Sequence, residues 1–387
     1  MMFGAQPENM KPEGRRGFPG AQQIDQWPFM LKEYRRHGYV TLLSEDEPYV
    51  GAFNFRLLGF KEQPTVKYLR PWWSETRDLL TLNKTRADNC VPKYHLEYLK
   101  NFYKEYSKEL SFSSIHFTTI SHGTPEKVYS IDGDMLQLFH HLNQTGRLDS
   151  TAVIFYGDHG SRATAFRATN QGQLEERLPM MTLTLPPSFH KRFPEKINNL
   201  KRNSHVLTTP YDIHVTLKHL LSIHQPPIQH KYGRSLFTNI VALNRACMEV
   251  GTPQSFCICR KFEKIEHDNE LINQIALKMV ETINEKIHSN TMTTEKCESL
   301  RLGNITKASR LINNKEARKY DTYELNFSVL PSYGLYEGTV EYSRTEKTIK
   351  VSENLQRISR YGDQPKCIAH LYPHMRPFCF CKDYKAL

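Results

Sequence analysis

The sequence predicts an α/β fold, a mostly parallel sheet with helices on both faces, followed by a smaller disulfide-stapled α+β region. Two observations carry this. Helical stretches alternate with near-continuous apolar strands as far as about residue 246, the pattern of strands buried on both faces. From Cys247 onward cysteines cluster and the alternation stops. The 387 residues suffice for two or three domains of roughly 100–200 residues each. We read residues 1–24 as an irregular segment, 25–246 as the α/β domain and 247–387 as the appendage.

Residues 1–23 are Gly/Pro-rich and polar. A helix follows over Trp27–His37, with Asp25 as cap, Pro28 in the first turn and Gly38 as left-handed terminator. Tyr39–Ser44 is the next strand. A Tyr-rich helix from about Pro92 to Leu110 leads to a β-rich run, Phe112–Ser121. In the next helix Ile131, Met135, Leu138, Phe139 and Leu142 share one face. Thr151–Tyr156 (TAVIFY) reads as a buried strand and Met180–Leu185 as another. A helix over about Pro210–Ile223 is capped by Thr208 or Thr209. The appendage holds a charged amphipathic helix near His267–His288. A hairpin-like segment follows, Tyr323–Tyr342, with turn signals at Pro331–Gly334 and at Glu337-Gly338.

Lys and Arg exceed Asp and Glu by 52 to 41, a net +11 that favours anionic partners. The excess is dispersed and no nucleic-acid reader motif occurs, so nucleic-acid binding is not expected. No apolar run approaches the roughly 18 residues of a membrane span. The eight cysteines, Cys90, Cys247, Cys257, Cys259, Cys297, Cys367, Cys379 and Cys381, include no C-x-x-C knuckle. Their two C-x-C pairs suit crosslinks better than a zinc site, and we expect four disulfides of open connectivity. Sequons at Asn83, Asn143, Asn304 and Asn326 agree with an oxidising compartment. The N-terminal twenty residues lack the apolar stretch of a signal peptide, so the expectation is either no export or a start that lies elsewhere. The bland alternative is a cytosolic protein with reduced cysteines and unused sequons.

The sharpest chemical feature is Gly157-Asp158-His159-Gly160, directly after TAVIFY. A carboxylate and an imidazole at a strand's exit, between glycines, can both grip a divalent cation where ligands sit in open α/β sheets. An oxygen and a nitrogen donor together suit zinc, whereas calcium prefers oxygen alone. The bland reading is a strand-to-loop turn. His122, in Ser121-His122-Gly123 at another strand end, joins the metal or an anionic substrate if the two strands are neighbours. Arg162 is a candidate anion contact. Glu45-Asp46-Glu47-Pro48 sets three acidic side chains at a third strand end, and their bland reading is a solvated loop. Of Glu175, Glu176 and Arg177, one carboxylate is expected to pair with the arginine and fix its loop. No G-x-S-x-G, P-loop or G-x-G-x-x-G motif occurs.

In order, the stretches WPFMLKEYRRHGYVTLLSEDEP, GAFNFRLLGF, YLRPWW, TISH, IDGDMLQLFHHL, VIFYGDHGSR, QGQLEERLPMMTLTLPP and LTTPYDIHVTLKHLL, with FCICR, LPSYGLYEGTVEY, ISRYGDQPKC and FCFCK in the appendage, resemble the metazoan, nematode-expanded family called domain of unknown function 229. That resemblance implies an alkaline-phosphatase/sulfatase-like core and hydrolysis of phosphate or sulfate esters at a divalent metal centre. It maps Asp158 and His159 onto metal ligands and His122 onto a histidine touching substrate or metal. It implies zinc or calcium as the cofactor, an anionic ester as the ligand and a secreted glycoprotein. The superfamily's first strand ends in a metal-binding Asp, and its nucleophile, Ser, Thr or modified Cys, follows; neither occurs in residues 1–24. The catalytic nucleophile is thus expected to be absent, the metal weakly held and activity small. The rival expectation is a non-catalytic secreted glycoprotein that binds an anionic ligand or a protein partner.

Overall fold

In the computed structural model the backbone is described throughout except at residues 82–83, 123–124, 163, 241–244, 254–255, 313–319, 353–354 and 386–387, and the side chains of 77–90, 125, 165 and 168 are likewise not described. The chain forms two units, one of Met1–Tyr156 with Met180–Val250, the other of Gly157–Pro179 with Gly251–Leu387.

In the first unit, helix α1 (Met30–Arg36) leads to strand β1 (Val40–Glu45), β2 (Lys67–Tyr68), the helices α2 (Arg70–Thr81) and α3 (Lys84–Glu105), and β3 (Ser111–His116). The three strands form a parallel sheet in the order β2-β1-β3. β1 is covered on both faces because its residues alternate: Leu42 packs with Trp73, Leu96 and Phe102, while Leu43 packs with Trp27, Phe29 and Leu31. Gly38 ends α1 with φ +85°, as its position suggests. The helix begins at Met30, later than expected, and Asp25 caps something else: its carboxylate accepts the backbone N–H groups of Lys61 and Glu62 at 2.9 and 3.0 Å.

After α4 (Asp132–Gln144), β4 (Val153–Tyr156) exits into residues 157–179, which carry α5 (Asn170–Arg177), and the chain re-enters as β5 (Met181–Thr184). β4 and β5 pair antiparallel as a separate two-stranded sheet, so the expected single, mostly parallel sheet is not formed. The physical reason is the return path. A chain that comes straight back beside its own strand, without a crossover across the sheet, must pair antiparallel. β3 and β4 each end their sheets and both line a cavity of about 360 Å³ with Tyr34, Phe112 and Leu217. The unit closes with α6 (Pro187–Arg192), α7 (Pro194–Asn203) and α8 (Pro210–Leu221). Asp212 accepts the Thr209 N–H at 2.6 Å, a cap of the expected kind, and also pairs with Arg245.

The second unit is built on an antiparallel sheet of β6 (Phe262–Lys264), β7 (Arg301–Leu311), β8 (Tyr320–Leu330), β9 (Gly334–Ser343) and β10 (Ile349–Val351), with β11 (Gln356–Arg357) also on β9. Helix α9 (Glu270–His288), followed by the short α10 (Thr291–Lys296), lays Ile272, Ile275, Met279 and Ile283 against Leu325, Phe327, Tyr336 and Val340. Pro331–Gly334 is the expected hairpin turn, but Glu337-Gly338 lies inside β9. Gly338 is where α9 approaches: a Cβ there would stand 2.4 Å from Met279 Cε. The glycine reports close packing, not a turn.

Disulfides join Cys297 to Cys379 and Cys367 to Cys381, so the Cys379/Cys381 pair crosslinks two segments as its spacing suggests. Cys247 and Cys257 are also disulfide-bonded. Cys259 is free and exposed, which corrects the expectation that every cysteine pairs: Cys257, two residues before it, is already taken. The side chain of Cys90 lies outside the described residues.

Candidate functional site

The loop that leaves β4 holds the two residues singled out for metal binding close together. His159 Nε2 lies 3.4 Å from Asp158 Oδ2, and both side chains are partly open to solvent. Two donors of one zinc ion stand roughly 3.3–3.5 Å apart for bonds of about 2.0–2.2 Å at a tetrahedral angle. The tautomer fits as well. His159 Nδ1 lies 2.7 Å from the Gly160 carbonyl oxygen, which can only accept, so Nδ1 carries a proton and in the neutral ring Nε2 presents the lone pair toward a cation. The backbone N–H of His159 donates to Asp158 Oδ1 at 2.9 Å and fixes the carboxylate's rotation. The glycine after the pair is required by space. A Cβ on Gly160 would meet the Glu175 carbonyl oxygen at 2.4 Å, because the loop lies directly on α5.

What holds α5 is a buried charge network on the sheet face opposite α9. Along β8 the odd residues Tyr323, Leu325 and Phe327 enter the core, and the even ones turn Glu324 the other way. Arg167, fully buried, pairs with Glu176 at 2.5 Å and Glu337 at 2.8 Å. Arg177 also reaches Glu337, at 2.7 Å, and Gln173 donates to it at 2.8 Å. The arginine's partner is therefore neither neighbouring carboxylate, contrary to expectation; it comes from β9, 160 residues along the chain. Burial pushes the Glu337 carboxyl up, but the hydrogen bond and charge of Arg167, with the charges of Arg177 and Lys307, outweigh it and hold it below the usual range. Glu324, buried and facing the Glu337 charge, is raised instead.

His122 belongs to the other unit, in the turn after β3, where its backbone N–H donates to Thr118 at 2.9 Å. The side chain is exposed; Gly123 is outside the described residues. That turn is braced by a residue read as solvated. Asp46 is buried and accepts the N–H groups of Thr118 and Thr119 at 2.7 and 3.2 Å, while Glu45, also buried, accepts Ala52 N–H at 2.7 Å. Burial raises both carboxyls, against the pull of those donors. The run Ser-Glu-Asp-Glu-Pro gave no periodicity from which to read this burial, since the acceptors are satisfied by backbone from distant segments. Arg162 is exposed, two residues beyond the loop's second glycine. Among the described residues, the groups of three ligand-type side chains consist of cysteines and Asp383 and do not include Asp158 or His159.

Of the four sequons, Asn143 and Asn304 are exposed. Asn326 is 2% exposed on the α5-facing side of β8, so it is no glycan acceptor as folded; the tripeptide there is a strand's polar alternation. The side chain of Asn83 is outside the described residues. Among the described residues no helix is long and apolar enough to cross a membrane.

A family model described as a protein of unknown function, DUF229, matches residues 2–306, which includes the whole Asp158–His159 loop and ends within β7. No curated protein and no solved structure matches the chain.

Proposed function

The chain belongs to the DUF229 family, and from that premise we propose that it is a secreted, metal-dependent phosphate- or sulfate-ester hydrolase-like protein whose cation site is built on Asp158 and His159. The observation that supports this reading is the pair's geometry: an O–N separation of 3.4 Å with the Nδ1 proton committed to Gly160. A bound zinc or calcium ion would supply charge to polarise an ester oxygen. The protein's part is to turn Nε2 toward the ion by engaging Nδ1 with the Gly160 carbonyl, to hold the carboxylate beside it, and to offer Arg162 as a cation toward an anionic ester. The alkaline-phosphatase-like architecture and an extracellular setting belong to this proposal too; the disulfides are compatible with an oxidising compartment.

Two donors make a partial coordination set, so the ion is held weakly and turnover by this chain is small. The same incompleteness favours a second reading, a non-catalytic protein that binds an anionic ligand. Zinc affinity, read by competition with a chromophoric chelator, tests the site. Asp158→Ala should weaken binding at least about tenfold, and an unchanged affinity overturns the assignment. Hydrolysis of aryl phosphate or sulfate that is lost in Asp158→Ala separates the hydrolase from the binding protein, which would hold zinc without turnover.

A further inference from the structure

We infer that the cleft between α2 and α3 is a carbohydrate-binding site, separate from the Asp158–His159 loop. Its floor and walls come from two short segments. On α3, Tyr94, Glu97, Tyr98 and Asn101 recur at three- and four-residue spacing and form one stripe. Trp72 of α2 stands opposite, and Gln63 lies at the rim. The open cleft has a volume of about 580 Å³, within the range of small-molecule sites.

Three features point to a sugar. First, large aromatic rings are presented to solvent, Trp72 at 46% and Tyr94 at 50% exposure, whereas Trp27 and Trp73 are buried. Trp72 is braced, its ring edge-to-face on Trp73 at 4.5 Å, and Trp73 in turn is fixed by its Nε1 donating to Ser44 Oγ at 3.0 Å. A rigid, exposed indole is a platform for the C–H face of a pyranose ring at little entropic cost. Second, planar polar groups stand beside the rings. The Gln63 amide nitrogen donates to the Thr65 and Val66 carbonyls at 2.8 Å each, which leaves Oε1 to accept from a hydroxyl. The Asn101 amide has no protein partner among the described residues, so it can both donate and accept. Third, the charges at the cleft are already paired. Glu97 bonds Lys100 at 2.7 Å, and Lys67 pairs with Glu105 at 3.4 Å over the Tyr106 ring. A compensated rim selects a neutral polyol over a phosphorylated ligand or a quaternary ammonium ion.

The test uses the intact chain and a panel of disaccharides: cellobiose, maltose, lactose and diacetylchitobiose. Because Trp72 is the exposed indole among the three tryptophans, a bound sugar should shift and saturate the intrinsic emission, with affinity of roughly 10 µM to 1 mM. Calorimetry on variants then locates the site. Asn101→Ala should weaken the responding sugar by about tenfold, and Trp72→Ala should abolish its binding; Trp72→Phe keeps a ring against Trp73 and should retain part of it. The inference fails if none of the four sugars gives a saturable response at about 10 mM. It fails also if Asn101→Ala and Trp72→Phe bind as the parent does, or if tetramethylammonium saturates the emission while no sugar does.

Discussion

Glu337 shows how one side chain decides where a loop sits. It receives Arg167, Arg177 and Gln173 from a segment far away in sequence, in a place where an unpaired guanidinium has no water to turn to. Removing one partner of a buried pair is costlier than the pair is worth, because the other charge stays behind. Glu337→Ala should therefore destabilise the fold by about 3–5 kcal/mol, measured by urea unfolding; a loss under about 1 kcal/mol would mean the network is solvated. The sign with pH follows for His95. It is fully buried, with Nε2 on Ser44 Oγ and no partner for Nδ1 among the described residues, and burial followed by the charge of His116 pushes it down to about 3. The folded value lies below the unfolded one near 6.5, so the neutral form's stabilisation is complete above that pH and is lost as pH falls toward 3. Glu45 and Asp46, raised by burial, act with the opposite sign and favour acid. The difference between wild type and His95→Gln isolates the histidine: between pH 4 and 6 the wild-type stability should rise more steeply, by up to about 1.4 kcal/mol per unit. Parallel curves would refute the burial argument.

At the scale of elements, the glycines of residues 157–179 record how closely that segment is packed. A Cβ on Gly172 would lie 2.1 Å from the Phe166 carbonyl oxygen, a backbone atom that cannot swing aside. Gly172→Ala should cost about 1–3 kcal/mol and, by displacing α5 under the loop, reduce zinc affinity; thermal melts and the chelator assay read both. A variant as stable as wild type would show that α5 moves freely. Element identity was legible wherever the apolar period was clean. β1, α4, α8 and α9 all fall close to their sequence positions, because each buries a regular stripe in a core; β5 also falls where its apolar run lies, although three of its four residues are exposed. Asp25, Asn326 and Gly338 were misread for one reason. Each matches a local rule, a cap, a glycan acceptor or a turn, yet the tertiary fold overrides it: the Lys61–Glu62 backbone takes Asp25, α9 packs on Gly338, and Asn326 is buried on the polar face of its own strand.

For the whole molecule, two crosslinks staple the second unit. The Cys297–Cys379 loop separates its cysteines by 82 residues and the Cys367–Cys381 loop by 14. Loop entropy gives about 4–5 and about 3 kcal/mol respectively, so reduction should lower the melting of the second unit. Hydrogen exchange with and without reductant would see this, and unchanged protection in β7, β8 and α9 would contradict it. The composition, the cysteine spacing and the Asp158-His159 pair between glycines were settled by the sequence, and so was the family, since these depend on residue order and short-range geometry alone. Only the tertiary structure decided that the parallel sheet stops at three strands, that Glu45 and Asp46 are buried braces, and that the Asp158–His159 loop is carried by a charge network on β8 and β9. Those outcomes turn on which remote backbone or charge satisfies a buried polar group. That is a pairing across 70 to 170 residues, and neither periodicity nor spacing encodes it.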